Sequence, residues 1–307
     1  MINWFEKAAV GCGLVAALLA WQPVHGYECQ TLELAQHGNS TEVRHDRGLL
    51  WKIVREGTPP SYLFGTIHVS DPAIIDLPDA IVEALQQSER FVMEARLNGD
   101  DMLAFAQEMF FRDGTRLSDL LEAELYRDTE QLLVRYGIPP MAVESLKPWA
   151  AFMTLNMPPE HGLPLDLVLK NRAREYGLPV DGLETVAEQA AVFENLSLDT
   201  QIELLTDSVC HYEVLQGDMA DMKKLYLERD LEGLFGYHNR YHLQSGDQYQ
   251  DLMQRLLWDR NRTMAERMQP ILEQGTAFIA VGAMHLPGER GVLGLLEQAG
   301  YRVTAIY

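Results

Sequence analysis

A chain of 307 residues with 47% hydrophobic content can bury a substantial core, which excludes a wholly disordered protein. Its formal net charge of −20 at pH 7 repels nucleic acid and anionic lipid, so nucleic acid is not expected as a partner. No GxGxxG, P-loop or GxSxG pattern is present, which disfavours nucleotide and serine-hydrolase chemistry.

At the N-terminus Lys7 precedes an apolar stretch from Ala8 to Trp21, and Val24-His25-Gly26 offers small residues at a spacing suited to signal-peptidase cleavage. About 14 apolar residues fall short of the roughly 20 needed to span a bilayer. Residues 1–26 are therefore expected to be a cleaved signal peptide rather than an anchor. The mature chain, 27–307, would then be periplasmic or secreted with no stable membrane span. Its two remaining cysteines, Cys29 and Cys210, lie in a disulfide-permissive compartment, where one bridge is available to tie the mature N-terminus to a central helix.

After an unpatterned polar segment, Leu49–Val54 reads as a strand that pairs with Tyr62–Phe64 across the Gly57–Ser61 turn. A GxxH motif, Gly65 to His68, follows, then a loop containing Pro72, a helix near Asp79–Gln87 and a strand at Arg90–Ala95. Beyond Leu97 helical spacing dominates, at Asp101–Arg112, Glu122–Tyr136, Met141–Leu155 and Leu165–Tyr176. One strand, Pro179–Leu183, interrupts it, with Glu184 directly after. Further helices are expected at Asp199–Leu215, Asp218–Glu228, Asp230–Tyr241 and Gln248–Gln274, the last kinked or broken by Pro270.

The C-terminal stretch has the same order of features as Ser61–Leu97. Ala277–Val281 is a strand that stops at Gly282, His285 completes a second GxxH, a helix runs through Leu293 and Leu296 to Gly300, and Tyr301–Tyr307 alternates as a final strand. The expected class is α+β: a small central sheet made of two similar strand-GxxH-helix-strand units at the two ends of one domain. A large helical insertion, about 100–275, separates them.

Of nine histidines, His68 and His285 share a context in which a glycine at a strand exit permits close backbone approach and an imidazole follows as ligand or base. His238 and His242 have an i,i+4 spacing but lack the intervening glutamate of HExxH. Two histidines make a poor metal site, so a carboxylate is needed. Glu94 is the candidate, because a charge inside the apolar strand Phe91–Ala95 is costly unless paired, coordinated or protonated. It would be a ligand or the base for a water molecule. Glu184 is a second candidate, with the alternative role of complementing a helix dipole. On the long helix Arg260 could stabilise an oxyanion and Asn261 could orient a substrate carbonyl, although by their position alone the two read as ordinary surface residues.

The segments LFGTIHVSDP and AVGAMHLPGERGVLGLLEQAGYRV, with FVMEARL between them, resemble the TraB/GumN family, which also includes the Tiki-type metalloproteases. LPLDLVLKNRAREYGLPVDGLETVAEQ is similar to a further signature of that family, and Arg260-Asn261 to its Arg-Asn pair before the last strand. The resemblance runs in order from Leu49 to Tyr307. It implies a divalent-metal site formed by the two GxxH histidines and a glutamate, manganese- or cobalt-dependent in Tiki-type members. Here that places His68, His285 and Glu94 at the centre, with Glu184, Arg260 and Asn261 in support. Met284 is bulkier than the glycine many relatives carry and would narrow the pocket, while the histidine spacing is intact.

The resulting expectation is a secreted or periplasmic metal-dependent hydrolase, a peptidase acting on peptide or protein substrates with manganese, cobalt or zinc. The alternative is a non-catalytic metal-, haem- or peptide-binding envelope protein.

Overall fold

A computed structural model describes residues 27–34, 43–96, 99–159, 162–237, 240–242 and 246–307. The expected signal segment, His37, His161 and His238 lie outside them. The chain is α+β, with a six-stranded mixed sheet surrounded by helices. Its strands are β2 (Leu50–Val54), β3 (Ser61–Thr66), β4 (Arg90–Arg96), β5 (Val180–Thr185), β7 (Ala277–Gly282) and β8 (Arg302–Ala305). They lie in the order β5-β4-β7-β3-β2-β8. A separate antiparallel pair joins β1 (Glu33–Leu34) to β6 (Tyr241–His242). His242 is thus in a strand, and the helical spacing expected for it does not apply.

β2 and β3 form the expected hairpin, with Trp51 opposite Leu63. β3, β7, β4 and β5 are parallel neighbours. Parallel strands are covered on both faces and so read as unbroken apolar runs, as Phe91–Met93 and Ala277–Val281 do. Phe64, Phe91 and Phe278 bridge three adjacent strands with ring centroids 6.1 and 6.0 Å apart. β8 is an exposed edge.

Two cores flank the site. One surrounds the sheet, where helices Asp79–Gln86, Leu165–Glu175, Arg260–Gln274 and Val292–Gln298 bury their apolar faces. The other is helical, built from Leu133, Leu146, Trp149, Leu205, Leu252 and neighbours. Cys29 and Cys210 are disulfide-bonded, tying the described N-terminus to helix Leu198–Cys210. Among the described residues no helix is long and apolar enough to cross a membrane.

Several expected boundaries move. The Met141–Leu155 helix divides into Pro140–Val143 and Pro148–Leu155, because Pro148 lacks the N–H a continuing helix needs and suits a first helical turn. Helices Leu198–Cys210 and Tyr212–Leu227 meet at His211, so the break expected between Leu215 and Asp218 falls nearer the N-terminus. Pro270 does not end its helix, which runs to Gln274, where Gly275 takes φ 77°. The buried residues Met264, Met268 and Leu272 lie on both sides of the proline. A further irregularity lies at Gln254–Asp259, a π-helical segment immediately before Arg260.

Gly65 lies inside β3 rather than ending it. A Cβ there would stand 2.7 Å from Leu286 Cδ1 and 3.1 Å from Ala283 Cα, so the glycine lets the loop of the second GxxH motif close onto the first strand.

Candidate functional site

The four parallel strands deliver their carboxyl ends to one edge of the sheet, where open α/β sheets place their sites. Thr66 and His68 come from β3 and its exit, Glu94 from β4, Glu184 from β5, and Gly282 and His285 from β7 and its exit. Glu184 is within its strand, opposite Ala95, rather than after it. Helix Val186–Glu194 starts at once behind it through a capping box: Thr185 Oγ1 accepts from the Glu188 amide while the Glu188 carboxylate accepts from the Thr185 amide. That tight start brings Gln189 back over the strand ends.

Arg260 organises the carboxylates. Its Nη2 donates to Glu94 Oε1 at 2.5 Å and to Glu184 Oε2 at 2.7 Å, and its Nε donates to Glu184 Oε2 at 3.1 Å. Nη1 donates to the Leu256 carbonyl at 3.2 Å, a group in the π-helical segment. Gln189 Nε2 donates to Glu94 Oε1 at 3.0 Å and Glu184 Oε2 at 3.3 Å. Glu94 Oε2 accepts from the Gly282 amide at 2.7 Å. A Cβ on Gly282 would lie 3.3 Å from both that oxygen and His285 Cδ2, so a larger residue would crowd the carboxylate and the imidazole.

Each motif histidine is held through Nδ1. His285 Nδ1 lies 2.6 Å from Asn261 Oδ1, while Asn261 Nδ2 donates to the Arg290 carbonyl at 2.9 Å. The amide oxygen can only accept, so Nδ1 carries the proton and Nε2 keeps its lone pair. Nε2 stands 3.8 Å from Glu94 Oε1 and 3.5 Å from Arg260 Nη1. His68 Nδ1 lies 2.7 Å from Asp166 Oδ2, and Asp166 Oδ1 accepts from Thr66 Oγ1 at 2.8 Å. His285 is buried, whereas 51% of the His68 side chain is exposed.

The charges set opposite protonation states. Burial opposes ionisation of Glu94, but Arg260, then His285 and His68, and the Gly282 amide hold its carboxyl well below the usual range. Burial draws His285 down to about 4, with Glu94 opposing and Arg260 assisting. The Asp166 carboxylate pushes His68 up to about 9. At neutral pH the metal-free chain therefore carries a neutral His285 and a charged His68. Because the folded value of His68 is raised, the stability it contributes is complete below its unfolded value near 6.5 and is lost as pH rises through about 9. A proton-detected NMR titration of metal-free protein is expected to place His68 near 9. Asp166→Asn should return it toward 6.5, and an unmoved titration would show that Asp166 is not the cause.

The sequence-predicted residues Glu94, Glu184, Arg260, Asn261 and His285 lie together, with His68 close enough for its charge to act on both Glu94 and His285. Asn261 has no exposed surface and both ends of its amide are bonded, so it reaches His285 rather than an incoming carbonyl. Among the described residues no three His, Cys, Asp or Glu side chains are arranged to hold a metal ion. The Glu94 oxygens are taken up by Arg260, Gln189 and Gly282, and His68 turns to Asp166. Asp166 and Gln189 had no role assigned from sequence. The signal for Asp166 was an acid flanked by leucines at a helix start.

The model of the TraB/PrgY/gumN family matches residues 49–305. The chain is similar to Metalloprotease TIKI2 of Danio rerio, 27% identical over 314 residues that cover 83% of this chain and 60% of that protein. It is also similar to Metalloprotease TIKI1 of Xenopus tropicalis, 26% identical over 311 residues with 83% and 60% covered. Metalloprotease TIKI2 of Xenopus tropicalis is 26% identical over 354 residues, with 97% and 67% covered. The first two matches thus span about 60% of the relatives' length. No solved structure matches the chain. The matched span runs from β2 to β8 and includes every side chain placed at the sheet edge above, and this chain belongs to the TraB/PrgY/gumN family.

Proposed function

We propose that this protein is a metal-dependent hydrolase of peptide or protein substrates, with His68, His285 and Glu94 holding a divalent cation. The observation that carries the reading is the common treatment of the two motif histidines. Each has Nδ1 tied to a side-chain oxygen, which fixes the ring and leaves Nε2 for a ligand, the arrangement of metal-bound histidines with outer-shell partners. The donor chemistry fits: two imidazole nitrogens and a carboxylate oxygen suit manganese, cobalt or zinc. Glu94, Glu184 and Asp166 against Arg260 leave a formal excess of two negative charges once His68 is neutral, which a divalent cation offsets.

When bound, such a cation polarises a carbonyl and lowers the pKa of water. The chain's own residues do the rest. Arg260 keeps Glu94 ionised, Glu184 and Gln189 hold Arg260 and Glu94 in place, and Asn261 and Asp166 orient the histidines. We further read β3–β4 and β7–β8 as two related units, since β3 and β7 are adjacent and parallel and each leads through GxxH and a helix to another strand of the sheet. Residues 27–307 are read as one domain behind a cleaved signal, which puts the protein in the periplasm or outside the cell.

Metal analysis of protein purified without a histidine tag, followed by peptide-library cleavage with manganese, cobalt or zinc, tests the proposal. Metal with cleavage supports it. Metal without cleavage favours a binding protein, and neither removes both readings. A second expectation concerns pH. His68 must lose its proton to become a ligand, so affinity should rise about tenfold per unit from about pH 7 and level near pH 9. Titration calorimetry in buffers of different ionisation enthalpy counts that proton. A flat profile would remove His68 from the ligand set.

A further inference from the structure

Beside the candidate centre lies an apolar cavity of about 340 Å³, a volume within the range of small-ligand sites. Two of its lining residues, Leu256 and Met284, adjoin residues of the centre. Successive side chains at the β7 exit go to different places: Ala283 into the sheet core, Met284 against the helical core and into the cavity lining, His285 toward Glu94. Leu256 and Leu257 line the cavity from the π-helical segment, and the Leu256 carbonyl is the acceptor for Arg260 Nη1.

Several polar groups on the lining are engaged within the protein. Ser208 Oγ donates to the Leu204 carbonyl and accepts from Asn156, and Asp218 pairs with Arg240. The remaining surface is largely apolar and rich in methionine, including Met153, Met219 and Met253. Unbranched thioether side chains adapt to several apolar shapes, so the lining suits a class of side chains rather than one.

We infer that this cavity is the side-chain pocket of substrate recognition. It receives a large aliphatic or aromatic residue of a peptide, next to the bond presented to the centre, and Met284 divides pocket from centre. The inference rests on the hydrolase reading. A peptide side chain is favoured over an anionic fatty acyl chain because the net charge of −20 opposes the latter.

The test separates binding from cleavage. Protein labelled with [methyl-13C]methionine is titrated, without metal, with the N-acetyl amides of phenylalanine, leucine, alanine and aspartate. The phenylalanine and leucine probes should shift the Met153, Met219 and Met284 methyl signals saturably and bind at least about tenfold tighter than the alanine probe, the scale of discrimination in apolar pockets. Met219→Trp should fill the cavity and remove that difference, and Met153→Trp serves if the first variant misfolds. In a second arm a random decapeptide library is digested with manganese present, and the products should be enriched in Phe, Leu, Ile or Met at one position beside the cut. Both tryptophan variants should move the enrichment toward Ala and Ser. Absence of saturable shifts, or cleavage without enrichment, overturns the pocket. Saturable binding without cleavage of any peptide supports the pocket and removes the hydrolase reading instead.

Discussion

On the proposed ligand set, His68→Ala and His285→Ala should each lower the divalent-metal content of the purified protein to background and reduce peptide hydrolysis by at least about a hundredfold, beyond the usual loss of an outer-shell partner. The two variants should differ in stability. His68 is half exposed, so its removal leaves the core intact. His285 is buried, and its loss strands Asn261 Oδ1, at a cost of about 1–3 kcal/mol. His285→Gln, which can restore a donor to Asn261, should regain part of that stability without regaining metal. Elemental analysis and a thermal melt read the two effects separately. Full metal retention after both alanine changes would refute the ligand assignment.

The largest structural effect is expected from Arg260→Met. Glu94 and Glu184 are 8% and 5% exposed, and Arg260 is the guanidinium that bonds both. Removing one partner of a buried pair costs about 3–5 kcal/mol because a charge is left without compensation. At roughly 2–4 °C per kcal/mol for a chain of this size, Tm falls by roughly 6–20 °C. Adding Glu184→Gln to the variant should recover a large share, since one of the stranded charges is gone.

The pH dependence of that loss separates charge from packing. In the native protein the Glu94 carboxyl is depressed, so its contribution is present above the unfolded value near 4.5 and is lost as pH falls below it. Without Arg260, burial raises the Glu94 carboxyl. The stability difference between wild type and variant should then be greatest at neutral pH and shrink on acidification. A difference that stays constant from pH 7 to 4 would show that lost packing, not charge, is responsible.

The π-helical segment gives both effects a common structural origin. Its wide turn lies directly before Arg260 and Asn261, one of which reaches the carboxylates while the other reaches His285. No residue type in Gln254–Asp259 marks a π-helix. Pro270, further along, points to the wrong turn of the helix, because local chemistry announces a missing N–H but not an added residue.

What the residues determined by themselves was local. Apolar runs specified β4 and β7, glycines marked the approach of backbone at Gly65 and Gly282, and a carboxylate inside Phe91–Ala95 required a buried partner. The two histidines stood out because their surroundings repeat along the chain. The identity of each partner was decided only by the tertiary structure. Arg260 meets Glu94 across 166 positions of sequence, and Asp166 meets His68 across 98. Periodicity reports which face of an element is buried, but it carries no information about which distant element covers that face. Strand order did that here, by setting β4 beside β7 and β5 beside β4, so that acids from two strands face one arginine and the ring of His285.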